Sequence, residues 1–585
     1  KKQFGNTLLL KETSQETWRW SPLENLGQDL RYAWRQMMAH KVLSLAVLFT
    51  LSLGIGATTS IFSIFEAIIL RTLAVPHPEQ LYLLQTDTDL FTSAFSHPLF
   101  TRMQKKLPEG SSLVANTRAT RGPIQIDGKK DSASFQMVSG NYYDTLQIKP
   151  ALGRLFTEED DRAAGNHPVT VLSHRFWMNR FAGSPDVLGK SIVINRQPLT
   201  VIGVAPAEFH GLWPDQRPDF WVPVAMQSSV EYSGNRFAYG DFKKDEPWAA
   251  HEGIFWLQLI ARIPNDKDVS ALQASLNIDF TQAMEQVFGR DSDPEARRQF
   301  LSQRLVLMPG NQGIQVLIER YFTPLNILLG MSGLLLLITC ANIASLLMGR
   351  AEKRQREIAV RMSIGASRQR LIRQLLTESL LMGVIGSLVG GFLGFKLGPE
   401  LLRLIDPNAP QVNIAPNAMV LGFSFILCLF TTVLFGLAPA LKSTRLDLSS
   451  ALKLNGSHES IARRFNFGQV MVSVQVALSM MLLVSPVLLS RTLNNLMTAD
   501  TGFEAEHIIS ISFDPQSSGY SPEQTQPLFD RIESRIQKIP GVQSTALSAC
   551  IVLAEGCIFQ SGMYTQGFVA TRGQKAVVQE LFVGQ

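Results

Sequence analysis

Hydrophobic and polar positions along this chain alternate between two regimes. Five stretches stay apolar long enough to cross a hydrocarbon core, which takes about 20 helical residues for about 30 Å. They are Val42–Leu70, Leu325–Met348, Leu380–Leu397, Ala418–Leu441 and Gly468–Leu489. Elsewhere the apolar positions recur with shorter periods. Leu81–Gln85, Val169–Leu172, Ile192–Asn195, Leu199–Val204, Ile254–Ile263 and Arg304–Met308 are short β-rich runs bounded by Gly, Pro or Asn. The run SIVINRQPLTVIGV predicts a hairpin turning around Asn195–Gln197. Val269, Leu272, Leu276, Phe280, Ala283 and Val287 follow helical spacing, with Asp266 or Asp268 as a candidate cap. Upstream of the first span, Leu26–Ala39 is amphipathic. Leu26, Leu30, Ala33, Trp34 and Met37 share one face, as in a helix lying in the membrane interface.

Charge orients these elements. The chain is 45% hydrophobic and only 18% charged, and its net charge is +5. The segment between the second and third spans carries Arg350, Lys353, Arg354, Arg356, Arg361, Arg368, Arg370 and Arg373 against Glu352 and Glu357. Short basic loops stay in the cytoplasm. Arg31, Arg35, His40 and Lys41 precede the first span, and Lys442, Arg445, Lys453, Arg463 and Arg464 separate the fourth from the fifth. One arrangement satisfies all three clusters. Residues 1–41, 349–378 and 442–467 are inside; 71–322, 398–417 and 490–585 are outside. The expected fold is therefore a multi-pass α-helical membrane protein in a bacterial inner membrane, with a large α+β extracytoplasmic domain that splits into two lobes. Its basic charge sits beside the spans, which makes membrane lipid the expected partner and argues against nucleic acid.

The chemistry-bearing residues do not converge. Gly183–Ser191 (GSPDVLGKS) imitates a phosphate loop, but position 184 is Ser where the motif needs Gly, and Pro185 removes a backbone donor. The histidines His77, His97, His167, His174, His210 and His251 lack metal-ligand spacing, and no G-x-S-x-G or H-E-x-x-H occurs. No catalytic, metal or cofactor site is expected. Cys340 and Cys428 lie in apolar spans, whereas Cys550 and Cys557 lie outside, where a disulfide can form. Asn342, Thr339 and Glu66 are the other polar residues in or near the spans, too few for a polar path through lipid. Gly386, Gly390, Gly394 and Gly398 share one helix face. Such a stripe admits a closely packed helix, either another span of this chain or a second copy in a homodimer.

The region after the fifth span begins as the region after the first does: Arg491-Thr492-Leu493 matches Arg71-Thr72-Leu73, and a β-like run follows in each, at Ile508–Phe513 and Leu81–Gln85. This implies an internal duplication whose second copy is incomplete, and the polar stretch from Lys1 reads as the tail of something longer.

Several blocks then resemble one family. Glu357-Ile-Ala-Val-Arg361, Gly365-Ala366-Ser367-Arg368 and Leu376-Thr377-Glu378-Ser379 are similar to the signature of MacB/FtsX-type ABC transporter permeases. ALGRLF at Ala151–Phe156, LGKSIVINRQPLTVIGVAP at Leu188–Pro206 and GLAPALKSTRLDLSSALK at Gly436–Lys453 resemble further blocks of it. DLRYAWRQM, GIGATTSIFS and the repeated layout resemble the duplicated orphan permeases of acidobacteria. The resemblance implies a MacB-like periplasmic core domain between spans one and two, and a cytoplasmic segment docking a separate ABC ATPase. It implies mechanotransmission: ATP-driven closure inside moves the external domain. Glu357, Arg361, Gly365, Ala366, Arg373 and Glu378 then fall in the ATPase-coupling loop, and a periplasmic adaptor is a further partner. The family usually has Asn where this chain has Thr58. The other reading is a membrane-tethered scaffold or sensor whose external domain binds a ligand or protein without ATP.

Overall fold

The structure is a computed structural model. It describes residues 21–87, 94–162, 167–232, 247–264, 269–289, 294–314, 316–353, 368–405, 417–443, 467–498 and 522–547, with isolated positions and short pieces between and after these. The chain divides into a helical unit, Lys1–Arg71 with Val316–Asp500, and an α+β unit, Thr72–Gln315 with Thr501–Gln585. Residues 316–322, the last of the segment expected outside, belong to a helix of the first unit.

Helix α1 (Ser21–Ala39) leads at once into α2 (Lys41–Phe65), which ends in one π-helical turn, Glu66–Leu70. The α+β unit follows. Its first strands are β1 (Leu81–Thr86), β2 (Ser112–Asn116), β3 (Thr120–Ile126), β4 (Lys129–Val138), β5 (Leu152–Gly153) and β6 (Val169–Leu172). Next come β7 (Ser191–Ile194), β8 (Gln197–Val204), β9 (Phe220–Pro223), β10 (Phe237–Ala238), β11 (Ile254–Phe255), β12 (Gln258–Arg262) and β13 (Leu305–Pro309). Helices α3 (His97–Gln104), α4 (Tyr142–Thr145), α5 (His174–Phe181), α6 (Val269–Phe288) and α7 (Pro294–Leu301) are interspersed.

The pairing gives one sheet with two parts. Strands β13, β1, β12 and β2 form an antiparallel sheet. Strands β4, β3, β7, β8, β6 and β9 form a ring, which closes where β9 runs parallel to β4 with Phe220 opposite Phe135. The two sets meet at Asn116 opposite Val138. One continuous core serves both: Leu113, Leu259, Leu272, Leu276 and Phe280 on one side, Phe135, Ile192, Leu199 and Phe220 on the other. The hairpin expected near Asn195 is β7–β8, turning on Asn195 and Arg196 with φ of 45° and 70°. The β3–β4 hairpin turns on Asp127 and Gly128 with φ of 49° and 77°. Positive φ at both central positions matches the right-handed strand twist, and Asp-Gly is a strong signal for such a turn. The expected run Ile254–Ile263 divides into β11 and β12. The candidate cap residues Asp266 and Asp268 lie outside the described residues.

The later helices are α8 (Val316–Lys353), α9 (Arg368–Ile405), α10 (Ala418–Ser443), α11 (Phe467–Met497) and α12 (Pro522–Ile536). Among the described residues four helical stretches are long and apolar enough to cross a membrane: Lys41–Leu70, Tyr321–Arg350, Arg368–Arg403 and Val472–Thr492. The fourth expected span, Ala418–Leu441, is represented by a shorter apolar stretch, Ala418–Leu434 in α10. Helices α8 and α9 have 38 residues each. At 1.5 Å per residue each extends about 57 Å, well beyond the hydrocarbon core. The segment 349–378 is thus helical at both ends, and residues 398–405 belong to α9. Residues 508–511 are described and form no strand, in contrast to Leu81–Thr86. β1 exists because β12 and β13 flank it, and no described residues after α11 flank 508–511 in that way. Another repeat signal does stand out: Pro98-Leu99-Phe100 in α3 recurs as Pro527-Leu528-Phe529 in α12.

The glycine stripe of α9 faces α2. A Cβ at Gly390 would lie 2.6 Å from the Ser52 carbonyl oxygen and 3.1 Å from the Gly56 nitrogen. At Gly394 it would lie 2.9 Å from the Gly56 oxygen, and at Gly386 2.9 Å from the Leu51 side chain. Gly398 is looser, with Ile414 at 3.7 Å. Ser60 Oγ donates to the Gly394 carbonyl at 2.9 Å. The chain's own first span therefore occupies the face that a second copy would need. Gly391, one residue away, has open space around its Cβ position. Gly390→Ala is expected to destabilise the helical unit by about 1–3 kcal/mol through overpacking against backbone. Gly391→Ala should be neutral or slightly stabilising, since it only improves helix propensity. Thermal unfolding of the two purified variants in detergent checks the contrast; equal midpoints would contradict it.

Candidate functional site: the basic end of the helical unit

Helix α1 carries a charged residue on its buried stripe. Asp29, Ala33 and Met37 follow one another at four-residue intervals and are all buried. Leu30 and Trp34, which the sequence pattern placed on the same face, are 39% and 50% exposed. The amphipathic helix thus has two apolar stripes, one against protein and one outside. Asp29 Oδ2 accepts from Arg373 Nε of α9 at 3.0 Å. One helical turn further on, Glu378 Oε1 accepts from Arg350 Nη1 of α8 at 2.9 Å, and both side chains are largely buried. These two pairs tie α1, α8 and α9 together at the ends of α8 and α9 that flank residues 354–367. Thr377 adds a hydroxyl that donates to the Arg373 carbonyl.

Of the six candidate coupling residues, the structure brings Arg373 and Glu378 into this cluster. Glu357, Arg361, Gly365 and Ala366 lie outside the described residues, as do Cys550 and Cys557. Asp29 was missed from sequence. The available signal was its position four residues before Ala33 and eight before Met37, an acid on an otherwise apolar stripe. Arg350 was visible only as one basic residue among many.

At the other end of α2, Glu66 is buried and accepts from Arg71 Nη2 and Asn417 Nδ2, each at 2.7 Å. Asn417 Oδ1 in turn accepts from the Val420 amide, capping α10. Asn342 of α8 meets Gln475 of α11 by a side-chain hydrogen bond. Thr58 donates to the carbonyls of Gly54 and Ser332. These polar groups have partners within the helix bundle. Cys340 and Cys428 are buried free thiols.

Within the α+β unit, Arg262 of β12 is 4% exposed and donates to the carbonyls of Thr145, His77 and Pro76 and to Gln80 Oε1. It clamps the residues that follow the first span. Leu73 N donates to the Asn311 carbonyl at 2.8 Å, so the entering and leaving strands of the chain are joined to each other. The histidines do not gather. Burial, reinforced by Arg217 and Arg175, lowers the His210 pKa to about 4, so it is neutral at physiological pH. Burial also raises the Asp161 carboxyl to about 7 although it accepts from the amides of Ala225 and Gly140. Among the described residues no group of three or more His, Cys, Asp or Glu is placed to hold a metal ion.

Known proteins share this plan. A family model described as the MacB-like periplasmic core domain matches residues 44–278, and one described as the FtsX-like permease C-terminal matches residues 329–448. Together they cover more than half of the chain and include the ion-pair cluster of α8 and α9. The chain belongs to the MacB/FtsX-type ABC transporter permeases. The uncharacterized ABC transporter permease YknZ of Bacillus subtilis is 23% identical over 73% of this chain and 99% of its own length. The macrolide export ATP-binding/permease protein MacB of Escherichia coli K12 is 22% identical over 74% of this chain and 61% of its own length. This permease therefore spans about three fifths of MacB. The crystal structure of the periplasmic region of MacB from Actinobacillus actinomycetemcomitans aligns at 15% identity over 45% of this chain and 97% of that one, with a TM-score of 0.28. The permease is a membrane protein with a large extracytoplasmic α+β domain.

Two tests follow from the buried charges. Removing one partner of a buried pair strands the other, at a cost of about 3–5 kcal/mol. Glu378→Leu is expected to lower the unfolding midpoint sharply, and adding Arg350→Met should recover much of it. Non-recovery in the double variant would show that the pair is not the unit that matters. In the extracytoplasmic domain, Arg262→Ala should cost about 1–3 kcal/mol by orphaning buried carbonyls. Hydrogen exchange should then lose protection first in residues 76–80; unchanged protection there would refute the clamp.

Proposed function

We propose that this permease couples ATP hydrolysis by a separate ATPase to movement of a substrate on the extracytoplasmic side, by transmitting motion along its helices. The observation that carries this reading is the braced basic segment. Arg350–Glu378 and Arg373–Asp29 hold the helices on both sides of residues 354–367, so that a force applied there reaches α8 and α9 together. Glu357, Arg361, Gly365 and Ala366 would contact the ATPase, with Arg suited to an acidic groove. Arg373 and Glu378 would serve as the inner brace. Glu66 with Asn417, Asn342 with Gln475, and Thr58 with two backbone carbonyls find partners inside the bundle, which supports motion of rigid helices over passage of a polar solute between them.

On this reading the chain sits in the bacterial inner membrane, with 349–378 in the cytoplasm and 71–322 outside, and the fifth span opens a second copy of the repeat, as in duplicated orphan permeases. A periplasmic adaptor is compatible with export, the activity named for MacB. The Gly386–Gly398 face is committed to α2, so a dimer would have to use another surface.

The test is co-purification with candidate soluble ABC ATPases from membranes. The native chain should retain the ATPase, and Glu357→Ala and Arg361→Ala should each lower recovery severalfold. Equal recovery with both changes would remove the coupling assignment. Ligand capture by the extracytoplasmic domain in reconstituted membranes without ATPase or ATP would favour a scaffold or sensor instead.

A further inference from the structure

We propose that the outer stripe of α1 and the start of the apolar run of α9 form a binding site for one anionic phospholipid. Leu30, Arg31, Trp34, Arg35 and Leu381 line an open cleft of about 410 Å³. Its floor is apolar: Leu30, Trp34 and Leu381 offer a surface to an acyl chain. Its rim is basic, because Arg31 and Arg35 are one helical turn apart and both exposed. Among the described residues neither arginine has a carboxylate partner, and Asp29 nearby is already engaged by Arg373.

The level of the cleft matters as much as its lining. Leu381 stands at the beginning of the apolar stretch Leu380–Leu397, and α1 runs directly into the first span at Lys41. The cleft therefore lies at the boundary between headgroups and acyl chains, where Trp is favoured and Arg reaches phosphate. A phosphodiester between Arg31 and Arg35, with its acyl chain over Trp34, fits both halves. A zwitterionic lipid brings a cationic group to a site that holds two unpaired cations. A soluble phosphate leaves the apolar floor open. The inference rests on the membrane placement of the helices and not on ATPase coupling. It does add a consequence: the same helix binds lipid on its outer stripe and Arg373 on its inner one.

The experiment uses the full chain in phosphatidylcholine nanodiscs carrying a minor fraction of acyl-brominated phosphatidylglycerol or acyl-brominated phosphatidylcholine. Bromine quenches a tryptophan it touches, and the difference between the native chain and Trp34→Phe isolates the Trp34 signal. Brominated phosphatidylglycerol should quench Trp34 at a much lower mole fraction than brominated phosphatidylcholine. The double change Arg31→Gln with Arg35→Gln should weaken that preference about 30-fold, corresponding to about 1 kcal/mol per basic residue near a lipid surface. Arg31→Lys with Arg35→Lys should keep most of it. Equal quenching by the two lipids, an unchanged preference in the double Gln variant, or displacement by soluble glycerol phosphate would each overturn the proposal.

Discussion

The helical unit depends on one backbone contact, where α2 and α9 cross at Gly56, Gly390 and Gly394. In lipid no water is released when apolar helices meet, so association relies on close packing and interhelical hydrogen bonds. Both are present at this crossing. Glycine lets the two backbones touch, and Ser60 donates across the gap to the Gly394 carbonyl. Around it Val47, Leu51 and Ile55 pack with Leu336, Ile343 and Met382, which brings α8 into the same assembly. Other side chains, among them Leu388, Phe392, Phe425 and Ile426, are exposed.

That crossing makes α9 a stiff element with chemistry at its basic end. Arg373 and Glu378 belong to the same helix as Gly390, and each is paired with a residue from a different helix. The helix ends on both sides of residues 354–367 are thus braced by ion pairs. The first span is continuous with the extracytoplasmic domain through Arg71 and Thr72, and Arg262 fixes the residues just beyond. Each step is local and physical: a buried ion pair, a backbone crossing, a guanidinium holding carbonyls.

The apolar helices, the β7–β8 hairpin and helix α6 were legible in the residues because each rests on local signals. Hydropathy, charge beside a span and helical spacing are all properties of adjacent positions. Strands β2, β3, β4 and β9 were passed over. Asp127-Gly128 marked one hairpin among them, but β4 begins Lys-Lys-Asp-Ser, which looks like solvent-exposed loop. Its burial starts only at Ala133, where the ring encloses it. The helices α8 and α9 run past the apolar stretches that marked them for a similar reason. Hydropathy stops at the edge of the lipid, whereas α8 and α9 continue into water on charged, helix-favouring residues.

By itself the sequence determined that this chain crosses a membrane and which family blocks it carries, since those follow from composition over short windows. Only the tertiary structure decided what the glycine stripe packs against, that β9 closes the ring on β4, and that Arg373 answers to Asp29, 344 positions away. The physical reason is the same in each case. A buried charge, an unpaired strand edge or a bare backbone face states a need for a partner, but many residues of the right type are available. Which of them fills it is settled when packing brings distant segments within a few ångströms.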